Sequence, residues 1–117
     1  MTNSAKNKGD RAEREVEALL RDLLDLPNVR RALGAGRKDD VGDIHGIPNT
    51  VIQVAAWNDI LAAIRSKLVG CQDQQKNANA KFGASFIRMR GAKWIVVMTP
   101  EQFSDLWKAA NGVTFGQ

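Results

Sequence analysis

The chain has 117 residues, 44% of them hydrophobic, and 17 basic against 13 acidic side chains give it a formal charge of +4. That length closes one core and not two, the apolar share is too high for a disordered chain, and no apolar run approaches the roughly 20 residues of a bilayer span. A lone cysteine, Cys71, excludes an intrachain disulfide and a cysteine-based zinc site, and the Lys/Asn-rich start is not a signal peptide, so a reducing compartment is expected.

Residues 1–8 are polar and expected to be flexible, 9–112 to form the single domain, and 113–117 to be a C-terminal tail. From Asp10 to about Asp25, Ala12, Val16, Leu19, Leu20, Leu23 and Leu24 recur at helical spacing, with charges on the other face. Asp10 and Glu13 have capping-box spacing, and Pro27 ends the helix. Residues 28–33 read as a first strand, broken by Gly34-Ala35-Gly36, and 41–47 as a short second strand. Pro48-Asn49 is a turn that joins it, hairpin fashion, to a third strand over 50–57.

The spacing predicts a second long helix over 59–81, with Ile60, Leu61, Ile64, Leu68 and Cys71 on one stripe and a very polar later half. Cys71 reads as a small core residue. That polar half, Gln72–Lys81, reads equally as a solvated face or as amides that meet a nucleic-acid backbone. Residues 84–89 alternate as a fourth strand, Gly91 turns the chain, and 94–98 form a short apolar run of the buried-strand kind. Thr99 is the N-cap of a last helix with Pro100 at its first position, and Phe103, Leu106 and Trp107 are its expected buried face. The order is α-β-β-β-α-β-β-α: an α/β fold with a mixed β-sheet flanked by helices, without repeat or linker.

Asp43 precedes Gln53 by ten positions and Ala55 by twelve. Side chains alternate across a strand, so Gln53 and Ala55 share one face while Ile52 and Val54 point to the other. Lys6, Lys8, Arg11, Arg14, Arg30, Arg31, Arg37 and Lys38 bracket the first helix and the approach to Asp43. Cations crowded around one candidate site suggest a polyanionic partner; the plainer reading is a solvated basic surface. His45 reads as a surface histidine, and Trp94 and Trp107 as core or dimer-interface anchors, not a base-stacking platform.

The run Lys8-Gly9-Asp10-Arg11-Ala12-Glu13-Arg14-Glu15, with Gly42-Asp43-Ile44 and Val51-Ile52-Gln53-Val54, resembles the Holliday junction resolvases of the PD-(D/E)xK nuclease superfamily. It is similar to the archaeal-type enzymes, closer to versions carried by bacteriophages of actinobacteria, over roughly residues 6–107. The resemblance implies a restriction-endonuclease-like fold and Mg²⁺-dependent hydrolysis of branched DNA, with Mn²⁺ a possible substitute. Glu13 then matches the helical glutamate that helps orient a metal-bound water, Asp43 the metal-binding aspartate, and Gln53 the strand glutamate. The backbone carbonyl of Val54 would add a ligand. Lys8, Arg11, Arg14, Arg31, Arg37 and Lys38 would meet DNA phosphates.

Two positions depart from the family pattern. Gln53 offers an uncharged amide where the family has a carboxylate, and Ala55 stands where it has the lysine that steadies the attacking hydroxide. Loss of one such preorganised group costs about 10²–10³-fold in rate. The expectation is an impaired or inactive nuclease, either an engineered trap for a DNA complex or a natural pseudo-nuclease that binds branched DNA without cutting. A restriction- or repair-type nuclease acting on linear duplex shares the same residues. The junction's near two-fold symmetry implies a homodimer, the lack of any segment resembling a base-reading helix implies recognition by shape, and a phage origin implies the cytoplasm of a bacterial host.

Overall fold

In the third strand Ile52 and Val54 pack into one apolar cluster and Ala55 into another, as alternation requires. The computed structural model describes residues 4–32 and 42–113. Its elements are α1 (Ser4–Leu24), β1 (Arg30–Arg31), β2 (Ile44–His45), β3 (Thr50–Ala55), α2 (Ile60–Ala78), β4 (Phe82–Met89), β5 (Lys93–Val97) and α3 (Pro100–Ala110). The strands form one mixed sheet in the order β1-β2-β3-β4-β5, in which β3 and β4 run parallel and the other neighbours antiparallel. The protein is therefore α/β, with a five-stranded sheet and three helices among the described residues.

The two faces of the sheet are covered by different helices. Ala12, Val16 and Leu20 recur every four residues along α1 and pack with Val29, Ile44, Ile52, Val54, Ala84 and Phe86. On the other face Ala63 of α2 meets Ala55 and Ile87, with Ile60, Ile64, Ile95 and Val97 around them. Cys71 is fully buried on α2, its thiol facing the carbonyls of Val51 and Ala84. It is the small core residue its sequence position predicts, and burial pushes its pKa up.

Several boundaries differ from expectation. The first helix begins at Ser4, so Asp10 lies inside it and is no N-cap. Leu23 and Leu24 are exposed, beyond Leu20, the last buried position of the helix. In α2, Asp59 is the N-cap and accepts the Ala62 amide at 3.0 Å, and Asn79 closes the helix in the left-handed conformation. Leu61 faces solvent instead of joining the apolar stripe. The Pro48-Asn49 turn is present: Asn49 has φ +60°, and the Thr50 hydroxyl donates to the Pro48 carbonyl at 2.9 Å.

The last helix is inverted relative to its expected face. Thr99 and Gln102 form a full capping box, with Pro100 at the start, as the sequence predicts. Yet Phe103, Leu106 and Trp107 are exposed, and the residue that α3 buries is Gln102. Its amide donates to Gln75 at 2.6 Å while its carbonyl accepts the Thr99 amide at 2.9 Å. Gln72 donates to the Thr99 hydroxyl at 3.4 Å, so part of the polar half of α2 docks α3. Neither the solvated-face nor the nucleic-acid reading holds for those two glutamines.

Candidate active site

The parallel pair β3 and β4 ends at the same edge of the sheet, the edge where open α/β sheets commonly bind ligands. There a cleft of about 580 Å³ opens. From α1 come Lys8, Gly9 and Glu13; from the segment before β2, Asp43; from the end of β3 and the turn after it, Val54 to Asn58; and from α2, Lys67. Two smaller clefts adjoin it. One is walled by Lys8, Arg11, Glu15 and Arg88, the other by Lys8, Trp57, Arg88 and Arg90 among others.

Asp43 is held from three directions. Its amide donates to the Ile52 carbonyl, its carbonyl accepts the Ala32 amide, and its side-chain Oδ2 accepts the Val54 amide, each at 2.8 Å. A carboxylate that accepts a backbone amide is both oriented and stabilised in its charged form. Gly42, just before it, has φ +104°, and a Cβ there would press on Val51 and the Ile52 carbonyl. The approach to Asp43 therefore requires glycine.

Glu13 sits beside it, its side chain only 24% exposed. Burial and the nearby charge of Asp43 raise its pKa, against the opposing pull of Arg31. Arg31 lies 3.2 Å from Glu13 and 2.9 Å from Asp10, and its amide donates to Glu17 at 2.6 Å. Arg31, expected on phosphate, is thus committed to the acids of α1.

The structure brings Lys8, Glu13, Asp43, Val54 and Ala55 to one cleft. It does not bring Gln53, which is 3% exposed and absent from the cleft wall, level with fully buried Ser85 on β4. Arg11 lies in the adjoining cleft and Arg14 is exposed on α1. Arg37 and Lys38 fall outside the described residues. His45 is half-buried in β2, paired with Arg30 across the ladder.

Sequence reasoning missed Trp57, Asn58, Lys67, Arg88 and Arg90. Trp57 and Asn58 directly follow β3, and Lys67 is one turn beyond Ala63 on the sheet-facing side of α2, but neither signal is specific without the fold. Arg88 is half-buried and bonded to Glu15 at 3.1 Å, and Glu15 also accepts the Trp94 indole N–H at 3.2 Å.

The donors fit a hard divalent cation in part. Glu13 and Asp43 supply the two carboxylates that Mg²⁺ commonly takes, leaving its other positions to water and phosphate. The pKa of Glu13 is raised first by burial and second by the charge of Asp43, and a cation bound between the two acids would offset both. Among the described residues no group of three His, Cys, Asp or Glu side chains converges as a metal cluster. Comparisons with protein-family models, curated proteins and solved structures return no match to this chain.

Proposed function

We propose that the chain is a restriction-endonuclease-like domain that hydrolyses phosphodiesters of branched DNA with Mg²⁺, or Mn²⁺ in its place, as a Holliday junction resolvase does. The observation that carries this reading is the meeting of Glu13 and Asp43 in a cleft that Lys8 and Lys67 also line, with Arg11 and Arg88 in the cleft adjoining it. Adjacent acids repel one another and repel DNA; they are stabilised when a cation and a phosphate arrive together.

Glu13 and Asp43 would hold the metal, with the Val54 carbonyl as the further ligand the resemblance implies. When bound, the ion supplies charge neutralisation at the phosphate and activation of a water. The protein's own part is positional. The Val54 amide fixes Asp43, Arg31 restrains Glu13, and the basic rim draws the DNA backbone over the cleft. Gln53 is displaced from this arrangement, so a metal site of two carboxylates is weaker than the family's. Ala55 leaves the strand without the lysine charge of the family pattern. It packs on fully buried Ala63, which supports alanine as a native fit at this position. Two such domains as a homodimer would address the two-fold junction, and the exposed Phe103, Leu106 and Trp107 offer an apolar face for a second copy.

The burial of Gln53 favours one other reading, a protein that binds branched DNA and never cuts. A gel assay on a synthetic four-way junction and a linear duplex, with wild type and Asp43→Asn in Mg²⁺ and in EDTA, separates the two. Mg²⁺-dependent cutting of the junction by wild type alone supports the nuclease. Equal binding in both conditions with no cutting supports the binding module, and preferential cutting of the duplex moves the substrate to linear DNA.

A further inference from the structure

Ala55 and Ala63 face each other as two small side chains, one from β3 and one from α2, each at most 3% exposed. Lys67 follows Ala63 by one helical turn. Side chains on a helix lean toward its N-terminus, so the Lys67 stem runs back over the Ala63 turn toward the end of β3. There it lines the cleft together with Ala55, Asp43 and Glu13. Its ammonium stands 5.9 Å from the centroid of the Trp57 ring, in the same wall. The backbone under it is tied to the sheet, because the Ser85 hydroxyl donates to the Lys67 carbonyl at 3.3 Å.

We infer that Lys67 is a catalytic residue that supplies, from α2, the positive charge missing from position 55 of the strand. The inference rests on the nuclease reading above and adds a residue to it. Lys8, the other lysine of the cleft, is exposed and donates to Asn58 at 2.8 Å, which suits it to holding DNA at the rim. Lys67 is half-buried, and its ammonium lies over the Trp57 ring. A cation–π contact holds an ammonium without neutralising it, so the charge stays available to an arriving phosphate. In the hydrolysis, the oxygen of a water bonds to phosphorus while one P–O ester bond breaks. The water releases a proton to solvent, and the departing oxygen takes one from solvent. Negative charge grows on the non-bridging oxygens as this happens, and Lys67 meets that charge.

The test compares wild type with Lys67→Met, which keeps the stem, Lys67→Arg, which keeps the charge, and Asp43→Asn, all checked by thermal melting. Two readouts are taken on a four-way junction: single-turnover cleavage in Mg²⁺, and the salt dependence of binding in EDTA. The expected result is a loss of roughly 10²–10³-fold in rate for Lys67→Met, with partial recovery in Lys67→Arg. The slope of log affinity against log salt should also fall by about one in Lys67→Met. If Lys67→Met cuts like wild type while Asp43→Asn is dead, the role of Lys67 is overturned and the nuclease reading stands. If wild type cuts no DNA in Mg²⁺ or Mn²⁺, the nuclease reading itself fails and the inference fails with it.

Discussion

Arg31 lies 3.2 Å from the Glu13 carboxylate and partly offsets the half-buried acid that stands beside Asp43. The guanidinium does so from β1, while Asp43 is held from β3 through the Val54 amide. The cleft is therefore organised by its own protein groups before any ligand enters.

The first prediction concerns Glu13. Its pKa is raised above the ordinary carboxylate value, so the native state binds more protons than the unfolded chain in the window just above that value. Stability falls as pH rises through the window, and above it the ionised acid is a constant burden. In EDTA, Glu13→Gln should melt higher than wild type at pH 7 and converge with it near the unfolded carboxylate value, about 4.3. Adding Mg²⁺ should raise the wild-type midpoint more than that of the variant. A melting series across pH, in EDTA and in Mg²⁺, checks it; a wild-type advantage at pH 7 in EDTA would refute the assigned electrostatics.

Asp43→Asn should leave the fold intact, because an amide oxygen still accepts the Val54 amide. It removes one of two candidate ligand charges. Mg²⁺-dependent shifts in melting temperature should shrink or vanish, and junction cleavage should fall by at least about 10²-fold. A variant that retains the full Mg²⁺ shift would move the metal away from Asp43.

The elements with strong local chemistry were legible in the sequence. The Thr99 cap with Pro100, the Asp59 start of α2, the Pro48-Asn49 turn and the alternation of β3 all appear where short-range rules place them. What failed depended on neighbours distant in sequence. The face of α3 followed the polar lock between Gln102 and Gln75, not the apolar stripe. Arg31 found acids one element away, and Gln53 was carried below the cleft by the depth of its strand. Lys67 carried no signal because its relation to Ala55 exists only once α2 lies on β3.

Gly46 tests the hairpin that delivers Asp43. Its φ is +94°, and a Cβ built there would collide with the Asn28 backbone. Gly46→Ala should therefore destabilise by more than about 2 kcal/mol, combining left-handed strain with displacement of rigid backbone. Urea unfolding measures it; a change under about 0.5 kcal/mol would show that the Asn28 segment yields freely.

The apolar face of α3 gives a prediction about assembly. Phe103, Leu106 and Trp107 are 59%, 38% and 53% exposed, an arrangement unfavourable on an isolated domain. If a second copy covers them, Trp107→Ser should shift the protein toward monomer in analytical ultracentrifugation without lowering its monomer stability. A wild-type protein that is monomeric at all concentrations would leave the homodimer without support.

The last prediction concerns Ala55→Lys, the change that restores the family pattern. In the sequence alone it looks like a simple gain of a catalytic group. In the structure Ala55 is 3% exposed and abuts Ala63, which is fully buried, so the longer stem must displace α2 or bend out toward the cleft. Overpacking of this kind costs about 1–3 kcal/mol. A second ammonium beside Lys67 adds like-charge repulsion. Ala55→Lys should therefore unfold at lower urea than wild type and gain little cleavage while Lys67 is present. Combined with Lys67→Met, the same substitution should recover part of the lost rate, because a single cation then fills the space that two compete for. Full additivity of the two changes would show that positions 55 and 67 act independently.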